Sequence, residues 1–374
     1  MDYKYLKYLK KKSIQNLWSA HIIPGKKEYD FIITIPCYNE YNYIFETLNS
    51  ISHQKQLLLN NLLVIIIINN SENEVEEIKK NNDFTYQKII QKIYNFEFVV
   101  VDSYSKGKAL KNKIAGVGIA RKIGCDIGLK YSHANSLFCF IDADTKINSH
   151  YLQSISSSYK KYNWKAATVM FEHMNDEPKT IKIIKEYEKF LNTTSVLLEK
   201  NGSPYNYIPI GSSMICNVKS YVSVGGMNSR KAAEDFYFLQ ELEKAFGVFK
   251  IKEVLVYPSS RYTPRAYLGT SSRLLKCLDN KLTMDSLYYT DYSFKILNKW
   301  LLLALKSEKK SYGKISKECD SLDKKLMIFL EQHNFRNAWR AINQAPTSAH
   351  FKKQFHRWFD GFKTFKLLKY YSFD

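Results

Sequence analysis

The stretch LFCFIDADTKI, residues 137–147, decides how the chain is read: an apolar run ends in two carboxylates, Asp142 and Asp144, one residue apart. In extended backbone, side chains at i and i+2 point to one side. Two acids so placed repel, and one stays protonated unless a cation lies between them. Mg²⁺ or Mn²⁺ meets that need, since such ions are held by one or two carboxylates plus substrate phosphates. A solvated turn with Asp144 capping the next helix accounts for the same residues, because Asp-x-Asp alone is a common pattern.

Three further apolar runs precede it: FIITIP (31–36), LLVIIII (62–68) and FEFVVVD (96–102). All four are short, rich in β-branched or aromatic residues and show little polar alternation, as strands of a parallel sheet buried on both faces do. Segments 40–53 and 108–130 between them carry helical periodicity. The alternation predicts an α/β, doubly wound, mostly parallel sheet of Rossmann-like type. Ligands of such sheets bind beyond the carboxyl ends of the strands. Those ends hold Pro36, Cys37, Tyr38, Asn39 and Glu40, then Asn69-Asn70-Ser71, then Asp102, then Asp142 and Asp144, so four polar clusters are expected on one rim.

Further along come AATVMF (166–171), a Lys-rich helical segment (178–200), YIPIGSSMICN (207–217) and KIKEVLVYP (250–258). Phe236, Leu239, Leu242 and Phe246 form an apolar stripe that predicts a helix over 232–246. After about residue 270 strand-like runs cease. The expected organisation is a basic, aromatic extension at 1–29, an α/β domain at 30–270 and a helical C-terminal region at 271–374.

The 374 residues carry a formal charge of +20, with 56 Lys+Arg, 28 Tyr and 22 Phe. Such a balance attracts polyanions: nucleic acid, anionic lipid surfaces or phosphorylated small molecules. Lys, Asn, Ile and Tyr are all inflated, which codon bias also produces. A nucleic-acid-binding α/β protein is the alternative from a second class, but acids occupy the rim and no basic-aromatic motif accompanies the charge. Six scattered cysteines without paired spacing point to reduced thiols and a cytosolic setting. The N-terminus has no apolar core of a signal peptide. The longest aliphatic runs, 62–69 and 300–305, are shorter than the ~20 residues of a spanning helix. The expectation is a cytoplasmic protein, at most peripheral at the inner face of a membrane.

ITIPCYNEYNYIFETLNSI (33–51) resembles the opening strand and helix of the inverting family 2 glycosyltransferases, with their Pro-x-Tyr-Asn-Glu signature. GVGIARKIG (116–124) is similar to that family's Gly/Ala/Arg helix, FIDADTKI to its Asp-x-Asp element, and GSSMICNVKSYVSVGGMN followed by AAEDFYF to its acceptor-side block and Glu-Asp pair. The resemblance runs in order from about residue 30 to 258. It implies a GT-A fold, a nucleoside-diphosphate-sugar donor with UDP favoured, a divalent metal (Mg²⁺ or Mn²⁺), and a glycan, lipid-linked or secondary-metabolite acceptor. By position it places Glu40 near the nucleotide, with Pro36, Tyr38 and Asn69 on the same donor side. It sets Asp142 against the ribose and metal, Asp144 on the metal, and Arg121 on the donor. Of Glu234-Asp235, the aspartate is the implied base.

The chemistry is consistent with this, since inverting transfer needs a carboxylate to take the acceptor proton and a cation to meet the departing diphosphate. Asp235 is also positioned as a plain capping or first-turn acid, favoured by the helix dipole. Two departures stand out: Asn69-Asn70 where many relatives have an acid, and Lys122 where the family has Asn. A catalytically silent scaffold of this type is a further alternative. Arg261 and Arg265 lie in YPSSRYTPRAYLGT (257–270), either a loop over phosphates or a connector. Gln354, Arg357 and Trp358 match the pattern of processive synthases, and equally an amphipathic helix. The basic, aromatic segment 362–373 suits an anionic membrane surface or a helix packed on protein.

Overall fold

In a computed structural model of the chain, residues 3–15, 17–18, 20–21, 24–262, 270–279 and 281–373 are described. They form two compact units, 1–185 with 209–281, and 186–208 with 282–374.

The first unit is built on one eight-stranded sheet: β1 (Tyr29–Cys37), β2 (Leu62–Asn69), β3 (Glu97–Ser103), β4 (Ser132–Phe140), β5 (Thr145–Ile147), β6 (Ala166–Phe171), β7 (Met214–Asn217) and β8 (Phe249–Pro258). The spatial order is β3-β2-β1-β4-β7-β6-β8-β5. β1 pairs in parallel with β2 and β4, and β2 with β3; β7 runs antiparallel to both neighbours, and β5 antiparallel to β8. The α/β, mostly parallel sheet read from the four apolar runs is therefore present. β2 is buried at every position, which is why its sequence shows no alternation.

Differences from the expected elements have local causes. β4 begins at Ser132, five residues before its apolar run, because an irregular register still pairs Ser132 with Tyr29. β5 has only three residues, too few to show a period. Asp142, Ala143 and Asp144 are not extended: they form the turn between β4 and β5, with Thr145 N donating to Asp142 O at 3.1 Å. The first helix after β1 spans Ile44–Ser52 rather than starting at residue 40, because Asn39 turns the chain at a left-handed φ of 57°.

The helix Tyr3–Lys11 is fastened to this unit by a buried acid. Asp126, on the helix Val117–Gly128, is wholly buried. Its Oδ1 accepts from Tyr8 OH at 2.6 Å and Tyr221 OH at 2.9 Å, and its Oδ2 from Ile14 N and Lys122 Nζ, both at 2.9 Å. Four donors on one carboxylate offset the cost of burying its charge.

The second unit is helical, as the loss of strand-like runs indicates. Asp291–Leu305, Tyr312–Leu322, Lys324–Gln332, Phe335–Ile342, Ser348–Trp358 and Gly361–Ser372 surround a core that includes Trp300, Phe335, Trp339 and Phe355. Trp358 stacks on Phe335 with centroids 5.5 Å apart and donates from Nε1 to His333 O at 3.3 Å. Gln354 bonds His350, and Arg357 is exposed. The tail helix buries Leu367 and Leu368 in the same core. Among the described residues no helix is long and apolar enough to cross a membrane.

Candidate active site

Helix Val117–Gly128 carries Arg121 into the interior, where it is only 2% exposed. A guanidinium so buried is tolerable only if paired. Arg121 Nη2 donates to Asp142 Oδ1, just beyond the end of β4, and Nη1 to Glu234 Oε1, at the start of the helix Glu234–Phe246. Two glycines make the room. A Cβ on Gly211 would lie 2.1 Å from Arg121 Nη2, and one on Gly118 would lie 2.4 Å from Arg230 O. The first turn of the arginine helix thus rests directly on the loop that leads to Glu234.

That loop ends in strain. Ala233, immediately before the acidic pair, has a left-handed φ of 57°, a conformation in which a Cβ costs about 1–2 kcal/mol. Burial raises the Glu234 carboxyl above its ordinary range, and Asp235 adds to this, against the lowering effect of Arg121. The Asp235 carboxyl is raised too: burial outweighs the pull of Arg121, and Asp142 adds repulsion. Asp235 Oδ1 accepts from Phe236 N at 2.7 Å. Asp142, Arg121, Glu234 and Asp235 therefore share one electrostatic neighbourhood.

A second arginine gathers the remaining acids. Arg261 Nε donates to Asp144 Oδ2 at 2.8 Å, and its Nη2 lies 2.7 Å from the same oxygen. That Nη2 also lies 2.6 Å from both oxygens of Glu40. The guanidinium sits 4.0 Å from the centroid of the Tyr43 ring, one turn on from Glu40, in cation–π contact. Asp142 and Asp144, adjacent in the motif, are thus met by different arginines.

The other expected rim residues line the ends of β1 and β2. Pro36 stands opposite Ile67 near the end of β1, and Tyr38 OH donates to Glu74 Oε2 at 3.0 Å. Asn69 closes β2; its side-chain oxygen is buried without a hydrogen-bond partner. Asn82 staples the two strand ends, accepting from Asn39 N at 2.9 Å and donating to Asn69 O at 3.2 Å and Asn70 Oδ1 at 2.8 Å. Burial opposes the Asp102 charge, yet bonds from Ser105, Lys108 and Tyr104 hold its carboxyl below the usual range. Lys122 pairs with Asp126 and is a structural residue of the N-terminal fastening. Arg265 lies outside the described residues.

A resident divalent ion does not fit the rim in this form. Among the described residues no three His, Cys, Asp or Glu side chains are grouped to hold one. Both Glu40 oxygens and Asp144 Oδ2 already face Arg261.

Sequence reasoning missed the grip of Arg261 on Glu40 and Asp144, the Tyr43 platform, the Asn82 staple and the space left by Gly211. Arg261 alone left a signal, three residues past the last strand.

No family model matches the chain, and no curated protein matches it in sequence. Several solved structures resemble it. The S. aureus TarS 1–349 structure in complex with UDP-GlcNAc is 13% identical, with 88% of this chain and 89% of that chain covered and a TM-score of 0.45. TarS 1–349 in complex with UDP is 14% identical over 83% and 91%, with a TM-score of 0.42. The mannosyltransferase PcManGT from Pyrobaculum calidifontis, in complex with GDP-Man and Mn²⁺, is 14% identical over 71% and 64%, with a TM-score of 0.41. Likeness of this size leaves the activity to be argued from the site.

Proposed function

We propose that the chain is an inverting glycosyltransferase. It moves a sugar from a nucleoside diphosphate, UDP before other bases, to a hydroxyl of a glycan, lipid-linked or secondary-metabolite acceptor. The observation that carries this reading is the bridge made by Arg121, which brings Asp142 from the end of β4 together with Glu234 and the neighbouring Asp235.

Asp235 is the base. Its raised affinity for a proton makes it a better acceptor than an ordinary aspartate. As it takes the proton of the acceptor hydroxyl, that oxygen bonds to the anomeric carbon and the bond from that carbon to the diphosphate oxygen breaks. Glu234 acts through Arg121, fixing the first turn of its helix and so the position of Asp235. Arg121 and Arg261 place positive charge on a rim that must receive the diphosphate, whose oxygens suit guanidinium forks. Pro36, Tyr38 and Asn69 line the donor side.

The test is a thermal-shift panel of UDP, GDP, CDP and ADP, each with and without Mg²⁺ or Mn²⁺. A ligand that binds only the folded state raises the melting temperature. One nucleoside diphosphate should do so selectively, and Asp235→Asn should keep that shift while losing sugar transfer. Absence of a shift with every nucleotide, with and without metal, removes the proposal.

A further inference from the structure

We propose that the amino-terminal end of the sheet, opposite the acidic rim, is a docking face for an anionic lipid bilayer. β1, β2, β3 and β4 run parallel to one another. Two antiparallel steps through β7 bring β6, and with it β8, into the same direction. The segments that enter these six strands therefore gather at one end: residues 24–28, 53–61, 91–96, 129–131, 160–165 and 246–248. Together they hold eight lysines against one acid, Glu28. The whole chain has 56 basic residues to 36 acidic, so a general surplus of lysine does not sort them in this way. The nearest acids inside the strands are engaged. Asp30 lies 3.0 Å from His133 Nε2, and Glu97 accepts from Gly25 N and Tyr29 OH. Of the eight lysines, Lys92 leans on the Phe45 ring, 4.6 Å from its centroid, and Lys165 is half-buried. The other six are exposed, and Lys26, Lys27 and Lys130 meet around one open cavity.

Positive charge alone suits any polyanion; the apolar side chains between the lysines select lipid. Ile93 is 99% exposed and Leu57 77%. Their segments are stapled together, Gln56 Nε2 donating to Asn95 O at 3.2 Å and Asn95 Nδ2 to Ser52 O at 3.0 Å. Under β6 and β8, the exposed Tyr162 stacks on Phe249 with centroids 4.9 Å apart, and Phe246 is exposed three residues earlier. A sugar–phosphate backbone offers no place to bury a protruding isoleucine or leucine. The boundary between headgroups and acyl chains takes aliphatic and aromatic side chains while lysines meet the phosphates. The face stands without the transferase proposal. One consequence does rest on that reading: the rim lies at the far end of the nine-residue β1, about 30 Å from the bilayer, and acts on acceptors that stand clear of the surface.

The experiment is sedimentation of the full chain with vesicles of phosphatidylcholine alone and of phosphatidylcholine mixed with phosphatidylserine, at physiological salt. The chain should bind the mixed vesicles and not the neutral ones. Lys27→Gln, Lys130→Gln and Lys160→Gln together should weaken binding at least about tenfold, since each lysine near an anionic surface adds to the attraction. Leu57→Ser with Ile93→Ser should also weaken it at least about tenfold, by removing the apolar surface that inserts. Three charges removed from the helical unit, by Lys324→Gln, Lys366→Gln and Lys369→Gln, should leave binding unchanged. Every substituted side chain is exposed, and circular dichroism checks that each variant is folded. Failure to bind the mixed vesicles overturns the proposal, as does an equal loss in the helical-unit variant or full binding by the Leu57→Ser, Ile93→Ser variant. Tighter binding to a duplex DNA or RNA oligomer than to the mixed vesicles, lost in the first lysine variant, assigns the face to nucleic acid and overturns it too. No nucleotide sugar enters the assay, so its outcome is separate from that of the transferase reading. Vesicle binding without a nucleoside-diphosphate shift keeps the face and removes the transfer chemistry.

Discussion

Arg121 and Glu234, 113 residues apart in the chain, form a buried ion pair that ties the helix Val117–Gly128 to the helix Glu234–Phe246. The same guanidinium reaches Asp142, so one side chain fixes the relation between the end of β4 and the acidic pair. Removing it strands two carboxylates. Arg121→Ala should destabilise the fold by about 3–5 kcal/mol, the usual cost of breaking a buried pair. Arg121→Lys should recover only part of this, because an ammonium cannot supply the fork. Chemical denaturation of the three proteins measures both.

Gly211→Ala tests the room around that guanidinium without touching its charge. The new methyl would lie 2.1 Å from Nη2, so either the arginine or the turn before β7 must shift. Overpacking of this kind costs about 1–3 kcal/mol. Transfer should fall more than stability does, because the displaced group is the one that positions Asp142 and the acidic pair. A variant with wild-type activity would show that Arg121 has slack at that position.

The raised carboxyls of Glu234 and Asp235 set a pH dependence. As the proposed base, Asp235 must be deprotonated, so the acid limb of kcat/KM should lie above the ordinary aspartate range of about 4. Stability runs the other way. Folded-state values above the unfolded ones mean that these groups favour the fold at low pH, and that contribution is lost as pH rises through the raised values. Asp235→Asn should lower kcat at least about a hundredfold, the scale of general-base catalysis, while a nucleoside diphosphate still raises the melting temperature. An Asn variant that turns over normally moves the base elsewhere.

What the sequence made legible follows from what local pattern can carry. Continuous apolar runs revealed the two-sided burial of β2, and the polar residues closing each run marked the rim. Pairings between distant side chains are not periodic. Nothing in YPSSRYTPRAYLGT says that Arg261 meets Glu40, 221 residues away. The Asp-x-Asp spacing suggested acids sharing one cation, but the turn closed by Asp142 O and Thr145 N hands each to its own arginine. The Gly211 requirement was equally hidden, since a glycine between strands ordinarily signals a turn and here makes space for a guanidinium.

Asp126 is expected to decide whether the N-terminal helix stays docked. Asp126→Asn keeps an acceptor for Tyr8 and Tyr221 but turns an N–H₂ toward Ile14 N and Lys122, both donors. With two donors unmatched and a lysine unpaired, the loss should be about 3 kcal/mol. Hydrogen exchange should rise first in residues 3–14, ahead of the sheet. Uniform loss of protection across the sheet would mean that the acid supports the whole unit rather than the fastening.

Glu243 offers a pH test away from the rim. Burial pushes its carboxyl up from 4.5 to about 7, although Oε2 accepts from Val248 N at 2.7 Å. The folded value exceeds the unfolded one, so its favourable contribution is complete below about 4.5 and is lost as pH rises through 7. Glu243→Gln retains a carbonyl oxygen for Val248 N and has no charge to bury. At pH 4.5 the two proteins should be equally stable. At pH 8 the glutamine variant should gain on the order of 1–2 kcal/mol, less than the full shift implies because the group is partly exposed. Denaturation at the two pH values reads this directly, and a gain of the same size at both would assign it to packing rather than to ionisation.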